Sequence, residues 1–471
     1  MKNLINIFLV ISLMIGTSCE DLVEDINDNP NAISPEDLSS SQFLTGAMLA
    51  NTVVQAGHFN RIAGTWSGQL EGFQSVYGAA HQYQITSAEA EATWIAAYTG
   101  VVTNARYIVN NEASTPLLRG IAKIVEANAL GTMASLFGDI PYSEINNADI
   151  ANPAYDSQSA VFLAIIDDLD DAITLLGTAT SGLAQDIHFS GNKDKWLEVA
   201  NTLKARYYLQ LKDYSNALTA AQSGISDYSG SMIFTPVDPG DAAEDNDAVN
   251  LFWQILNGGR AGDIGTGSSY LMNLLDPASA TSRNNSKTDE TARHGYYAID
   301  ESSGTANNGI IAQTEPHELV SYQENLLILA ECDARINSLT AGLNHLNQLR
   351  FWLAGGGRLN TAYSGLAYTY DAYVAADFAA GGIENTDNIS EVRAFLREVI
   401  EERYVSGFGS FIPFNDARRL RKSDGDIAVG FPTNTGTQYP ERFLYANVEV
   451  NSNTSSPTVL PGLFDATPVN Q

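Results

Sequence analysis

The chain has 471 residues, of which 44% are hydrophobic, and this is enough for one large core or for two to three domains. Its 25 basic and 55 acidic residues give a formal net charge of −30. A long-range field of that sign argues against binding of nucleic acid and of anionic membrane surfaces, and more weakly against polyanionic ligands.

The first 41 residues carry the signals of an exported, membrane-anchored protein. A positively charged start is followed by an apolar run over 4–15, which is too short to span a bilayer and is typical of a secretory signal peptide. We therefore expect residues 1–18 to be removed and Cys19 to be lipidated, so that acyl chains anchor the protein. Residues 19–41, which are acidic and turn-rich, are predicted to form the tether. The alternative is a plain signal peptide with an incidental cysteine.

Apolar residues that recur every three or four positions predict amphipathic helices in the first half of the chain. The predicted helices lie at 42–55, 94–109, 117–137 and 159–176. Gly120 and Gly131 would weaken the third of these helices, and close packing against another helix would explain both glycines. Residues 57–92 are rich in glycine and aromatic residues and are predicted to be loop-rich.

Two apolar stripes between residues 194 and 225 predict a helical hairpin at the centre of the chain. Only Lys212 and Asp213 separate the stripes, which forces two antiparallel neighbours. Asp213 can cap the second helix by accepting hydrogen bonds from its first N–H groups. The small residues of the second stripe have the spacing found in the second helix of a tetratricopeptide (TPR) repeat, so the hairpin is predicted to be TPR-like.

The second half of the chain changes character. Residues 227–320 contain many prolines, glycines and polar residues, although short helices are predicted at 247–256 and 268–275. Helical periodicity resumes, and further helices are predicted at 322–336, 339–352 and 391–404. Loops and turns are predicted at 353–388 and from Gly407 onward.

These elements predict a mostly α fold in which a TPR-like solenoid of helical hairpins packs against a large, loop-rich, irregular region. We expect one domain over 42–471, with helical pairs at about 94–226 and 321–404. Long loops in a compact protein usually carry function. The ligand-binding region is therefore expected in the loops at about 57–92, 227–320 and 353–388.

Seven short motifs occur in order along nearly the whole chain. They are DINDNPN at 25–31, Trp94 with Tyr98 and Asn104, LFGDIPY at 136–142, KARYYL at 204–209, Asp276-Pro277, ENLLILAE at 324–331 with LNQLR at 346–350, and EER at 401–403 with DARR at 416–419. Together they resemble the SusD/RagB family of outer-membrane, glycan-binding lipoproteins. The chain departs from the family pattern at Ala278, where an arginine is common.

The resemblance implies a location and a partner. Such proteins sit on the outer face of a Gram-negative outer membrane, held by the lipid on a cysteine that corresponds to Cys19. They act as a lid on a TonB-dependent, SusC-like transporter and capture oligosaccharides for import. Glu20-Asp21 is similar to the signal that sends such lipoproteins to the outer face. The family performs no covalent chemistry and needs no cofactor.

The residues themselves show no catalytic motif. The sequence lacks G-x-S-x-G, G-x-x-x-x-G-K-[ST] and H-E-x-x-H; His317-Glu318 begins the last of these, but Ser321 stands where the second histidine is needed. Adjacent carboxylates such as Asp167 and Asp168 point in different directions on a helix. We therefore predict a binding protein that is not an enzyme, and we assign no residue to a metal site, although the sequence leaves metal binding open. The alternatives are a helical carbohydrate-active hydrolase or lyase, and a TPR-type adaptor that binds a peptide.

A sugar ring presents a C–H face that stacks on an aromatic plane, while its hydroxyls meet polar groups at the rim. Trp196 and Trp94 occupy helix stripes and are expected in the core. The predicted ligand-binding residues are Trp66, Tyr77, Trp253, Tyr296, Tyr297 and Trp352, with Arg260 and Asp263 as polar partners, and at least two of the aromatic residues are expected to contact the glycan. The net charge favours a neutral, glucan-type polysaccharide.

Overall fold

A computed structural model describes residues 39–145, 147, 149–237 and 248–471. The predicted signal peptide, Cys19 and almost all of the predicted tether lie outside the described residues. Across the described ranges, none of the helices combines the length and the apolar character needed to cross a bilayer.

Helices dominate the first half of the described chain, as predicted. They are α1 (Ser40–Ala56), α2 (His58–Trp66), α3 (Ser75–His81), α4 (Glu91–Ile95), α5 (Thr103–Asn110), α6 (Pro116–Phe137), α7 (Gln158–Thr178), α8 (Lys193–Gln210) and α9 (Tyr214–Ala221). A π-helical segment, Ala96–Val102, joins α4 to α5.

The second half mixes short and long helices. They are α10 (Leu251–Asn257), α11 (Tyr270–Leu275), α12 (Thr291–Tyr297), α13 (Tyr322–Ile336), α14 (Leu339–Ala354), α15 (Ala375–Phe378), α16 (Glu391–Ser406), α17 (Ile412–Leu420) and α18 (Asn447–Ser452). The mostly helical fold class is thus confirmed.

Several segments that were predicted as loops are helical, namely α2, α3, α12, α15, α17 and α18. The loop-rich prediction for 57–92 is wrong over α2, where Phe59, Ile62 and Trp66 form a buried stripe that the neighbouring glycines obscure. The loop prediction after Gly407 is wrong over α17. Its buried residues mix apolar side chains, such as Phe414 and Leu420, with the charged Arg418 and Arg419, and this mixture weakens the apolar signal in the sequence.

Four small antiparallel pairs of strands fasten the loops to one another. They are β1 (Glu71–Gly72) with β5 (Ile264–Gly265), β2 (Ile140–Pro141) with β3 (Tyr155–Asp156), β4 (Met232–Phe234) with β7 (His317–Val320), and β6 (Thr288–Asp289) with β8 (Thr369–Tyr370). Three of the pairs join segments that are far apart in the chain, whereas β2 and β3 lie in the one segment between α6 and α7.

The predicted central hairpin is confirmed as α8 and α9, which pack against each other and against α7 and α13. The Asp213 carboxylate accepts a hydrogen bond from the backbone N–H of Asn216 at 3.1 Å, and it caps α9 as expected. Trp196 is fully buried, and its indole Nε1 donates to the Asp186 carboxylate at 2.7 Å. Cys332 on α13 is also buried and unpaired.

Gly131 lies where α6 meets α8, and the expected close packing is confirmed. A Cβ atom at Gly131 would lie 2.2 Å from Cζ of Tyr207. The Tyr207 ring cannot retreat easily, because it is buried and its hydroxyl donates to the Ala127 carbonyl at 2.9 Å.

We expect Gly131→Ala to lower the free energy of unfolding by about 1–3 kcal/mol through overpacking. Alanine is a better helix former than glycine by about 1 kcal/mol, so the sign of the change reports the clash. The matched control is Gly177→Ala near the end of α7, where no atom lies within 4 Å of the new Cβ. That variant should be neutral or slightly stabilising in a urea titration. Equal stabilisation by both variants would contradict the packing role of Gly131.

Two clusters of buried ion pairs in the described residues connect segments of the fold. The Arg283 cluster links the loop residues Arg283 and Glu290, and Arg293 of α12, to Glu398 and Glu402 of α16, with Arg283 Nη1 at 2.6 Å from Glu402 Oε2 and Nη2 at 2.8 Å from Glu398 Oε1. The Glu331 cluster consists of Glu331 and Arg335 of α13, Arg403 of α16, and Asp416 and Arg419 of α17. Because removal of one partner leaves an unpaired buried charge, both clusters fix the packing of the segments that they join.

The two ends of the described chain also meet in the core. Phe59 of α2 stacks on Phe443 with ring centroids 4.0 Å apart. The Tyr404 hydroxyl of α16 donates to the Ser67 carbonyl at 3.0 Å. The N-terminal and C-terminal segments of the described chain are therefore packed against each other.

Candidate functional site

The five tryptophans of the chain all lie in the described part, and they differ sharply in exposure. Trp66, Trp94, Trp196 and Trp253 are buried, with at most 7% of each residue exposed. Trp352 is the one that remains partly exposed. It is therefore the tryptophan whose ring is available to a ligand without rearrangement of the core.

Trp66 and Tyr77 lie in the core, and the expectation that they belong to exposed loops is wrong. Trp66 is 1% exposed, packs against Phe443 at 4.5 Å between centroids, and donates from Nε1 to the Ala80 carbonyl at 2.9 Å. The Tyr77 hydroxyl accepts a hydrogen bond from Arg61 Nε at 2.6 Å. Neither ring has a free face on which a sugar could stack.

Arg260 and Asp263, predicted as polar partners of the ligand, lie beside each other at the edge of the pair formed by β1 and β5. Arg260 Nη1 lies 3.4 Å from Asp263 Oδ2, and the buried Asp263 carboxylate also accepts from the Ser75 hydroxyl at 3.1 Å. The Asp263 carbonyl accepts from the backbone N–H of Phe73 at 2.8 Å. Asp263 is thus a structural link between two loops, and only Arg260 of this pair is open to solvent.

This link holds Phe73 on the surface, a residue that was not among the predicted ligand-binding residues. Phe73 is 45% exposed, and one side of its ring lies over Gly267, where a Cβ atom would be 3.1 Å from Phe73 Cζ. Gly267 has φ +48°, so both its conformation and the close ring favour glycine. We call Phe73 and Arg260 the Phe73 surface. Trp253 lies on nearby α10 but is only 7% exposed.

Tyr296 and Tyr297 of α12 are buried, so the expectation that they lie in an exposed loop is also wrong. The Tyr296 hydroxyl donates to Glu315 Oε1 at 2.7 Å. Burial raises the pKa of Tyr297 to about 12, and its hydroxyl therefore keeps its proton at neutral pH.

Trp352 lies in the last turn of α14, directly before three glycines. Gly356 and Gly357 have φ of +103° and +55°, and a Cβ atom at Gly357 would lie 3.3 Å from Trp352 Cζ3. The glycine turn can therefore fold closely against the indole. Tyr228, also partly exposed, lies beside the indole with centroids 5.3 Å apart and planes tilted by 33°. The edge of Tyr322 supports it from another side at 5.9 Å.

We call Trp352 and Tyr228 the Trp352 surface. A small cavity lies beneath it, and the residues that line this cavity include Trp352, Tyr296, Tyr297, Gln323, Arg293 and Arg358. Three of the predicted ligand-binding residues thus meet at one place, although two of them form its floor rather than its surface.

The charges beside this cavity are all paired. Arg358 Nη1 lies 2.9 Å from Glu318 Oε2, and Arg293 Nη1 lies 2.7 Å from Glu402 Oε1. No group of three or more His, Cys, Asp or Glu side chains in the described part of the chain is placed to hold a metal ion. A site with aromatic surfaces and balanced charges is suited to a neutral ligand.

A helical, TPR-like frame that presents a partly exposed aromatic surface defines a class of helical binding proteins. The sequence matches, over residues 30–342, the family model of SusD-like proteins described as starch-binding and associating with the outer membrane. The chain belongs to this SusD-like family. Membership places it among carbohydrate-binding proteins that are associated with the outer membrane.

Solved structures share the fold at low sequence identity. A SusD/RagB family protein from Bacteroides thetaiotaomicron is 21% identical, with a TM-score of 0.65 and coverage of 89% of this chain and 95% of that chain. A chitin-binding SusD homologue from Flavobacterium johnsoniae is 18% identical, with a TM-score of 0.64 and coverage of 91% and 98%. A SusD homologue from Bacteroides fragilis is 18% identical, with a TM-score of 0.65 and coverage of 92% and 100%. No curated protein matches the sequence.

Proposed function

We propose that this protein binds a neutral, glucan-type polysaccharide or oligosaccharide at the cell surface, without catalysis, by stacking a sugar ring on Trp352. The observation that carries the proposal is that Trp352 alone among the five tryptophans is partly exposed, with the partly exposed ring of Tyr228 packed beside it. Aromatic faces stack well on the C–H face of a pyranose, and polar groups at the rim then bind the hydroxyls.

The charge distribution supports a neutral ligand. The net charge of −30 disfavours an acidic polymer, and the arginines that line the cavity beneath Trp352 are already ion-paired. The Phe73 surface offers a second aromatic ring beside the exposed Arg260. A long glycan could contact both surfaces.

The proposed setting is the outer face of the outer membrane, where lipid on Cys19 would hold the protein. The bound glycan would pass to a TonB-dependent, SusC-like transporter. Family membership supports the membrane association, and the chitin-binding homologue supports an uncharged polysaccharide as ligand.

Calorimetric titration of the soluble protein from Glu20 onward against neutral α- and β-glucans tests the proposal. We expect Trp352→Ala to weaken binding by about tenfold or more, since truncation of an aromatic residue at the centre of a site commonly costs at least about 1.4 kcal/mol. The matched control is Phe351→Ala, because Phe351 precedes Trp352 on α14 but is 82% exposed and points elsewhere. The affinity of the Phe351→Ala variant for glucans should equal that of the wild type.

The remaining outcomes are also informative. If Trp352→Ala binds normally and Phe73→Ala does not, the binding site lies at the Phe73 surface. If the folded wild-type protein binds no polysaccharide, the proposed function is wrong and a peptide-binding role becomes the leading hypothesis. Release of new reducing ends during the titration would identify a hydrolase instead.

A further inference from the structure

The cavity beneath the Trp352 surface is small. Its interior volume is about 20 Å³, which exceeds the roughly 10–15 Å³ needed for one water molecule. This space suits one water molecule or a small polar substituent.

One wall of this cavity holds an unused hydrogen-bond acceptor. Gln323 is 2% exposed, and its amide Nε2 donates to both carboxylate oxygens of Glu318, at 3.1 and 3.2 Å. Because an ionised carboxylate can only accept, this contact fixes which end of the amide faces Glu318. The carbonyl Oε1 is left on the other side, buried and without a partner in the described residues. A buried acceptor without a hydrogen bond destabilises the folded protein, so a donor bound at this position would be favourable.

Tyr297 lines the same cavity and makes no hydrogen bond through its hydroxyl to any other described residue. The neighbouring polar groups are already engaged. Tyr296 donates to Glu315, Tyr370 donates to Glu290 Oε2 at 2.7 Å, and Arg358 pairs with Glu318. The cavity therefore offers one free carbonyl and one free hydroxyl, which together suit a small group that both donates and accepts.

We propose that this cavity receives the exocyclic hydroxymethyl group of a hexose unit stacked on Trp352, with the hydroxyl of that group donating to Gln323 Oε1. The inference rests on the proposed function and adds specificity to it. In the proposed pose, the exocyclic substituent of a pyranose stacked on the indole reaches past the edge of the ring into the cavity. A pentose unit has no such substituent and would leave the carbonyl unpaired, so the protein selects hexose-based over pentose-based glycans.

The test compares three probes of equal length: cellohexaose, maltohexaose and xylohexaose. Cellohexaose and xylohexaose share their linkage and differ in the hydroxymethyl group. We expect the mature wild-type chain to bind one of the glucose-based probes about tenfold or more tightly than xylohexaose, which corresponds to about 1.4 kcal/mol. Gln323→Met, which keeps the side-chain length and removes the carbonyl, should reduce this ratio to near one while affinity for xylohexaose is retained.

Two further variants keep the test decisive. Tyr297→Phe removes only the hydroxyl and should reduce the ratio severalfold, which provides a readout if Gln323→Met folds poorly. Gln348→Met is the matched control, because Gln348 donates to the Tyr322 hydroxyl at 3.1 Å on the same surface but does not line the cavity. It should keep the wild-type ratio.

A wild-type chain that binds none of the three probes, or binds glucose- and xylose-based probes equally, overturns the inference. Retention of the full ratio in both Gln323→Met and Tyr297→Phe also overturns it. The broader glucan titration with Trp352→Ala tests the proposed function separately. Failure of the proposed glycan binding can therefore be distinguished from failure of the inferred hexose selectivity.

Discussion

Replacement of Glu331 by glutamine is expected to lower the free energy of unfolding by about 3–5 kcal/mol, the cost of breaking a buried ion pair by removing one partner. Glu331 is fully buried on α13. Its oxygens accept from Arg419 Nη1 and Nη2, both at 2.9 Å, from Arg335 Nε at 2.9 Å, and from Arg403. A neutral amide of the same shape would leave these arginines short of negative charge.

The same contacts predict how this loss depends on pH. Burial alone would raise the pKa of Glu331, but Arg419, Arg403 and Arg335 hold it well below the usual value. The unfolded chain binds this proton at a pH of about 4.3, and the folded chain only at lower pH. The stability that Glu331 contributes is therefore fully present above that pH and is lost as the pH falls toward the folded-state pKa.

Guanidinium titrations at several pH values measure both effects. The difference in unfolding free energy between wild type and Glu331→Gln should be constant near neutral pH and should shrink as the pH falls below roughly 4.3. Asp426→Asn is the control, because Asp426 is half exposed and pairs with Arg393 at the surface. A surface pair contributes at most about 1 kcal/mol. A Glu331→Gln variant as stable as that control would contradict the structural role of the cluster.

Trp66→Ala is expected to lower the free energy of unfolding by about 3–5 kcal/mol, the usual cost of truncating a buried aromatic side chain. The indole fills the space between α2, Phe414 and Phe443, and the variant would also remove the hydrogen bond from the indole to the Ala80 carbonyl. A loss of glycan binding in this variant would therefore report unfolding rather than a missing ligand contact.

The variant Phe73→Ala helps to separate unfolding from loss of a ligand contact, because it removes an exposed ring from the same part of the fold. Its stability should stay within about 0.5 kcal/mol of the wild type, as is usual for surface substitutions. Thermal unfolding and glucan titration of both variants supply the data. A Trp66→Ala protein that is as stable as the wild type but binds no glycan would indicate that Trp66 contacts the ligand.

The long helices could be predicted because their buried faces are apolar and periodic. The α8–α9 hairpin, the Asp213 cap and the packing glycine at Gly131 all follow from this kind of pattern. Helix α17 was missed because charged residues share its buried face with the apolar Phe414 and Leu420. Arg418 and Arg419 are buried on it, and Arg419 is paired with Glu331, which is 88 residues away in the chain.

The site was harder to predict because exposure of a loop aromatic is a tertiary property. Trp66, Trp253 and Trp352 all stand near glycines in the sequence, yet only the last keeps part of its ring in solvent. Phe73 is held at the surface by the contacts of Asp263. The hydrogen bond from Ser75 to Asp263 joins residues that are 188 positions apart in the chain. The motifs are sufficient to identify the family. Contacts between residues that are far apart in the sequence decide which aromatic rings face the solvent.

The meeting of the two chain ends in the core has a consequence for how the protein folds. Synthesis delivers α2 early, but the ring that stacks on Phe59 belongs to Phe443, and the hydroxyl that binds Ser67 lies 337 residues further along. Contacts of such long sequence separation form slowly and only after both partners exist. Phe59 and Ser67 therefore lack these packing and hydrogen-bonding partners until almost the entire polypeptide has been made. The segment that is made first is thus among the last to reach its native packing.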